Sequence, residues 1–119
     1  MKIITDTNFL VDSIRWKVVI FSELKGNEIY VLTSVLKELK RISESRKKES
    51  ALAKTALSLV KSKGLKTLKP IEKQTDLSLL SYAWRGYAIA THDKILKDLI
   101  IKRGGKVILI RQRKYVEVE

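Results

Sequence analysis

Apolar and polar residues along this 119-residue chain fall into short runs that switch between a strand-like and a helix-like period. Ile3-Ile4-Thr5 is β-branched and suits a strand. The stretch from Ile14 to Lys25 carries Ile14, Trp16, Val18, Val19, Ile20, Phe21 and Leu24 around most of its circumference. It predicts one helix, buried in the core or in an interface. A strand is predicted over Ile29 to Thr33, helices over Ser34 to Ser45 and Glu49 to Lys63, and a weak strand over Leu65 to Leu68. A helix over Leu77 to Arg85 follows, then a strand over Tyr87 to Thr91 and a helix over Lys94 to Arg103. Val107 to Ile110 is an uninterrupted apolar strand, and Tyr115 to Val118 a short last one. Gly26, Gly64, Gly86 and Gly104 each follow a helical stretch, where a residue free to turn left-handed closes the helix.

Strands alternating with helices require crossover connections, hence an α/β fold with a mostly parallel sheet covered on both faces. The chain shows no repeat, low-complexity segment or linker, so residues 1–119 are expected to form a single domain. In sheets of this kind, ligands bind outside the carboxyl ends of the strands. The residues at those ends are therefore the first candidates for chemistry.

Composition narrows the classes. The chain lacks cysteine, which excludes disulfides and thiolate metal sites and favours a reducing compartment. Its apolar runs are far shorter than the roughly 20 residues of a spanning helix. Met1-Lys2 leads straight into Ile3-Ile4-Thr5-Asp6, too short and polar for a secretory leader. A cytoplasmic protein without a membrane partner is expected. Lys and Arg number 25 against 13 Asp and Glu, a net charge of +12. Such a field attracts polyanions, of which nucleic acid is the commonest.

Against that basic background, four carboxylates stand out. Asp6 ends the first strand, where an Asx-turn would be the plain alternative. Asp93 follows the strand Tyr87 to Thr91, where it can also cap the next helix. Glu38 sits at the edge of the apolar stripe formed by Val35, Leu39 and Ile42, and Asp76 shares a helix face with Leu79, Leu80 and Ala83. A carboxylate against an apolar stripe is costly unless it is paired or bound to a cation, and clustered like charges need a cation to compensate. Oxygen ligands without Cys, and with only one His, suit Mg²⁺ or Mn²⁺ rather than Zn²⁺. An acidic hard-metal pocket on a basic protein is the profile of a phosphodiesterase acting on nucleic acid.

These residues resemble the PIN-domain nucleases over nearly the whole chain. The likeness runs through Ile3-Ile4-Thr5-Asp6-Thr7-Asn8, Thr33-Ser34-Val35-Leu36-Lys37-Glu38-Leu39, Asp76-Leu77-Ser78-Leu79-Leu80-Ser81-Tyr82-Ala83 and Gly86-Tyr87-Ala88-Ile89-Ala90-Thr91-His92-Asp93. The resemblance implies a three-layer α/β/α sandwich, cleavage of single-stranded RNA, dependence on Mg²⁺ or Mn²⁺, and frequent homodimerisation. It matches Asp6, Glu38, Asp76 and Asp93 to an acidic quartet that binds metal and carries catalysis, with Asn8 and Thr91 in the polar shell. His92 stands where many relatives have Asn, and Leu77 where a second acid often follows the third. Asp6-Thr7-Asn8-Phe9-Leu10 and the tail Ile110-Arg111-Gln112-Arg113-Lys114-Tyr115 point to small archaeal proteins related to ribosomal RNA processing factors. VapC-type toxins are the competitor. The two imply different partners, a ribosome-assembly factor or an antitoxin.

Other features are weaker. His92 is the one candidate for a histidine general base, against the plainer reading of a loop residue. No Gly-x-Ser-x-Gly turn supports a serine hydrolase, and no Walker A loop supports an NTPase. Arg46-Lys47-Lys48 suits an exposed loop. Arg111, Arg113 and Lys114, beside Tyr115, suit RNA better, since cations and an aromatic together engage phosphates and bases. A homodimer is expected from the apolar helix of Ile14 to Leu24, with full burial in the monomer as the alternative. A non-catalytic RNA-binding scaffold is disfavoured by the complete set of acids. A phosphorylated receiver is disfavoured because its third strand, ending Thr67-Leu68-Lys69-Pro70, lacks a terminal carboxylate.

Overall fold

A computed structural model describes residues 1–119. Strands β1 (Lys2–Thr5), β2 (Glu28–Leu32), β3 (Lys66–Leu68), β4 (Ala88–Ala90), β5 (Val107–Arg111) and β6 (Tyr115–Val118) form one sheet, in the order β3-β2-β1-β4-β5-β6. All neighbours are parallel except β6, which returns antiparallel along β5. The helices are α1 (Thr7–Arg15), α2 (Ile20–Glu23), α3 (Thr33–Ser43), α4 (Ser50–Ser62), α5 (Thr75–Ala83) and α6 (Lys94–Lys102).

The chain builds outward from β1 to β2 and β3, then crosses back to β4 and continues to β5 in the opposite direction. Right-handed crossovers place the connecting helices on opposite faces when the direction of winding reverses. Accordingly α1, α3 and α4 pack on one another, and α5 packs on α6. The sandwich expected from the alternation is the one observed. Ile3, Ile4, Val31, Leu32, Ile89, Val107 and Ile108 are wholly buried in the central strands. Each such side chain contributes about 1.5–3 kcal/mol relative to exposure.

The reversal leaves a crevice between β1 and β4, the switch point where doubly wound sheets bind ligands. The two strands are held in register there, with Thr5 opposite Ala90 and the Asp6 N–H donating to the Ala90 carbonyl at 2.9 Å.

One predicted element is corrected. The stretch from Ile14 to Lys25 is not a single helix. Helix α1 starts at Thr7 and stops at Arg15. Lys17 takes a left-handed φ of 57°. Val18 N–H donates to the Ser13 carbonyl and Lys17 N–H to the Ile14 carbonyl, which is a Schellman stop. The β-branched run Val18-Val19-Ile20 favours breaking the helix here. The apolar residues that suggested an interface pack largely inward instead. Val18, Ile20 and Leu24 are buried, and Ile14, Trp16 and Phe21 lie against the core. Val19 is the exposed exception. The ring of apolar positions reflected two short segments meeting one core, not one helix between two molecules. No helix is long and apolar enough to cross a membrane.

Candidate active site

Asp6 follows the carboxyl end of β1 and opens α1 as its N-cap. One carboxyl oxygen accepts the Thr7 N–H at 2.7 Å, and the other accepts the Thr91 hydroxyl at 3.1 Å. Thr91, wholly buried just after β4, also accepts the Asp93 N–H through the same hydroxyl oxygen at 3.1 Å. One threonine hydroxyl therefore sets the spacing of two acids across the crevice. Asp93 caps α6 by accepting the Leu96 N–H at 3.0 Å, so capping and presentation at the strand end coexist. Its residue is exposed.

Glu38 and Asp76 arrive from opposite sides. Glu38 is half-buried on the second turn of α3, and Asp76 is exposed in the first turn of α5 rather than facing the core. Gln74, not Thr75 or Asp76, is the α5 N-cap residue, and its side chain makes no capping bond. Thr75 instead donates to the Ser34 hydroxyl at 3.3 Å, joining the start of α5 to the start of α3, one turn before Glu38. Ser78 fixes the loop entering α5: its hydroxyl accepts from Ile71 and Glu72 N–H and donates to the Glu72 carbonyl.

Burial pushes the Asp6 carboxyl above the usual carboxylate range. The bonds from Thr7 and Thr91 oppose that, and the negative charges of Asp76 and Glu38 raise it further. Asp6 thus feels the charges of both Glu38 and Asp76. None of the four acids forms an ion pair with Lys or Arg, despite the +12 surplus. As placed, no three acidic or imidazole groups stand close enough to share an ion directly. A hard cation that keeps part of its water shell needs only one or two carboxylates directly. The donor chemistry, oxygen only and uncompensated, fits Mg²⁺ or Mn²⁺.

A cavity of about 560 Å³ is lined by Asp93, alone of the four acids, with Asn8, Asp12, Arg15, Lys47, Glu49 and His92 among others. Asn8 faces it from the first turn of α1. His92 is fixed on all sides. Its Nε2 accepts the Ile110 N–H at 3.2 Å, so Nδ1 carries the proton and donates to Asp12 Oδ2 at 2.9 Å. Phe9 and Trp16 flank the ring, each 5.4 Å away between centroids. With its lone pair committed to a backbone N–H, His92 is poorly placed to take a proton from water. Asp12, which also holds Arg15 at 2.7 Å, went unnoticed in the sequence. Its signal is the four-residue step from Asn8, visible only once α1 is known to start at Thr7.

The basic tail divides. Arg111 pairs with Glu117 and Glu119 across the β5–β6 hairpin. Arg113 and Lys114 have no acidic partner, and Arg113 lies over the Trp16 ring at 5.4 Å.

A family model described as a PIN like domain matches residues 3–113. The chain belongs to the PIN-like domain family. This PIN-like domain is 32% identical over 126 residues to Ribonuclease VapC4 of Methanocaldococcus jannaschii, with 98% of the chain and 95% of the relative covered. The PIN domain endonuclease Utp24 matches its structure with a TM-score of 0.80 at 22% identity, covering 99% of this chain and 90% of that one. A domain of a functionally unknown protein from the same Methanocaldococcus matches at a TM-score of 0.68 and 18% identity, covering 99% and 96%. The two structures speak for the fold. The family and the fold implied by the residue motifs are those found.

Proposed function

We propose that this PIN-like domain is an endoribonuclease that cleaves single-stranded RNA with the help of Mg²⁺ or Mn²⁺ held by Asp6, Glu38, Asp76 and Asp93. The observation that carries the reading is the state of Asp6: half-buried, crowded by the negative charges of Glu38 and Asp76, and without a cationic partner. A bound divalent ion would relieve that crowding, polarise a phosphate and activate a water. The chain supplies the rest. Thr91 and the Thr7 N–H fix both oxygens of Asp6, leaving the carboxylate oriented before any ligand arrives. Asn8 and Thr91 form the polar shell, and the basic surface draws the RNA backbone toward the acids. The likeness to a ribonuclease over almost the full length of both chains supports the activity.

Cleavage of a single-stranded RNA should appear with Mg²⁺ or Mn²⁺ and vanish with EDTA. A protein that binds RNA but never cuts it, at any divalent ion concentration, is a scaffold and not a nuclease. Between the two biological roles, the VapC-type one has the better support, because the relative carrying a VapC name matches by sequence, whereas the ribosomal-processing role rests on sequence cues alone. Growth arrest on induction, relieved by Asp6→Asn, tests it. A homodimer belongs to the same proposal. Leu77, Ile95 and Leu99 leave an apolar groove on α5 and α6 beside Asp76 and Asp93, with Ile95 76% exposed. Light scattering of the protein and of Ile95→Lys decides whether two copies meet there.

A further inference from the structure

The non-glycine residues with a left-handed backbone are Lys17 (φ 57°), Gln112 (φ 54°) and Arg113 (φ 56°). Two of them adjoin one indole. Lys17 follows Trp16 directly, and Arg113, next to Gln112, places its guanidinium 5.4 Å from the Trp16 ring centre. Gln112 and Arg113 are the central residues of the β-turn Arg111 to Lys114, which lies within the three-residue loop joining β5 to β6 and is closed by Lys114 N–H on the Arg111 carbonyl at 3.0 Å. Such turns ordinarily use Asn-Gly, because two successive residues must turn left-handed and side chains resist it. A strained conformation persists where the surrounding structure enforces it, and such residues cluster at functional sites.

The location is informative. Strands β4 and β5 are parallel neighbours, so the hairpin leaves the sheet at the same edge as Thr91 and Asp93. Trp16 stacks toward His92 at 5.4 Å, and His92 lines the cavity that Asn8 and Asp93 also line. Arg113 forms no ion pair, whereas its neighbour Arg111 forms two. A planar cation on an indole, at the rim of a phosphodiester-cleaving site, has the chemistry to engage a phosphate and to stack a base.

We propose that Arg113 and Trp16 form a contact for single-stranded RNA beside the carboxylates, the guanidinium taking a phosphate and the flat pair receiving a base. This inference rests on the ribonuclease reading and assigns it a substrate contact. The left-handed turn is what sets Arg113 over the ring, at a cost in stability.

The decisive variant is Arg113→Gly. Glycine accepts a φ of 56° without strain. Arg113→Gly should therefore raise the melting temperature while weakening RNA binding roughly tenfold and lowering the log–log salt slope by about 0.7. Arg113→Lys should restore the slope and not the affinity. Both are measured in an Asp6→Asn, Trp84→Phe background, where cutting is stopped and Trp16 is the remaining indole. The probe is a fluorescein-labelled single-stranded RNA of mixed sequence, followed by anisotropy, with an unlabelled copy for Trp16 emission. Emission should change as the RNA saturates. RNA that binds Arg113→Gly as tightly as the parent, or that saturates with Trp16 emission unchanged, overturns the contact. So does a poly-glutamate peptide that gives the same emission change at the same concentration. If wild-type protein fails to cut RNA yet these binding changes occur, the nuclease reading falls and the contact stands. If it cuts normally and they do not occur, the reverse holds.

Discussion

The imidazole of His92 donates Nδ1–H to Asp12 Oδ2 at 2.9 Å, tying the segment after β4 to helix α1. Its other nitrogen accepts from the Ile110 N–H, so one ring joins three elements behind the acids. His92→Ala should cost about 2–4 kcal/mol, the loss of two hydrogen bonds and of a ring packed between Phe9 and Trp16. His92→Gln, which can still accept from Ile110, should recover part of it. Urea unfolding measures the loss. Cleavage by the folded Gln variant should stay within about tenfold of wild type, against the roughly 10²–10⁴ a general base supplies. A larger fall would make His92 the base.

Asp6→Asn should nearly abolish cleavage. It should also raise the melting temperature of the metal-free protein at pH 7. Burial raises the Asp6 pKa above the carboxylate value of 3.8, so ionising it in the fold is unfavourable. That contribution to stability is present in full below the unfolded pKa and is lost as pH rises through the folded one. The advantage of Asn should therefore be largest near neutrality, fade as pH falls through the raised folded pKa, and be gone below 3.8. Asn can still accept from the Thr7 N–H as a cap, so helix α1 survives. Calorimetry across pH, with and without Mn²⁺, checks both halves: Mn²⁺ should stabilise wild type more than the variant.

Gly105→Ala should destabilise by about 1–3 kcal/mol. An added Cβ would meet Ile100 Cγ2 at 2.6 Å and the Ile100 carbonyl at 3.1 Å, and Ile100 is wholly buried. Gly105 lets the chain leaving α6 pass close to Ile100 on its way into β5. Thermal unfolding of the variant, at unchanged metal dependence of cleavage, is the measurement.

Arg111→Gln should leave RNA affinity within about twofold, since that guanidinium is committed to Glu117 and Glu119 and exposed pairs of this kind contribute modestly. The triple removal of Arg111, Arg113 and Lys114 should weaken binding through the latter two. Anisotropy titrations at several salt concentrations separate the residues; a large effect of Arg111→Gln would return it to the RNA surface.

The order of strands and helices was legible because each short element carries its own period and four of the helical stretches end at a glycine. The start of α1 was not. Thr7 and Asn8 favour turns as strongly as helix starts, and the apolar run beyond Arg15 hid a Schellman stop that uses Lys17 rather than glycine. That one misplacement also concealed Asp12, whose alignment with Asn8 depends on the helix beginning early.

The sequence by itself determined the family, the α/β alternation and the presence of four acids at strand ends and on helices of a basic chain, because these are written in residue type and spacing. Only the tertiary structure decided which groups feel one another. The crossing from β3 back to β4 makes Asp6 and Asp93 neighbours through Thr91, and the Thr75–Ser34 bond brings the start of α5 to that of α3. It also decided that His92 is locked, that Arg111 is spent on Glu117 and Glu119, and that Arg113 reaches Trp16. Those contacts join residues distant in the chain, and their geometry depends on strand register and backbone handedness. Neither is encoded in local periodicity.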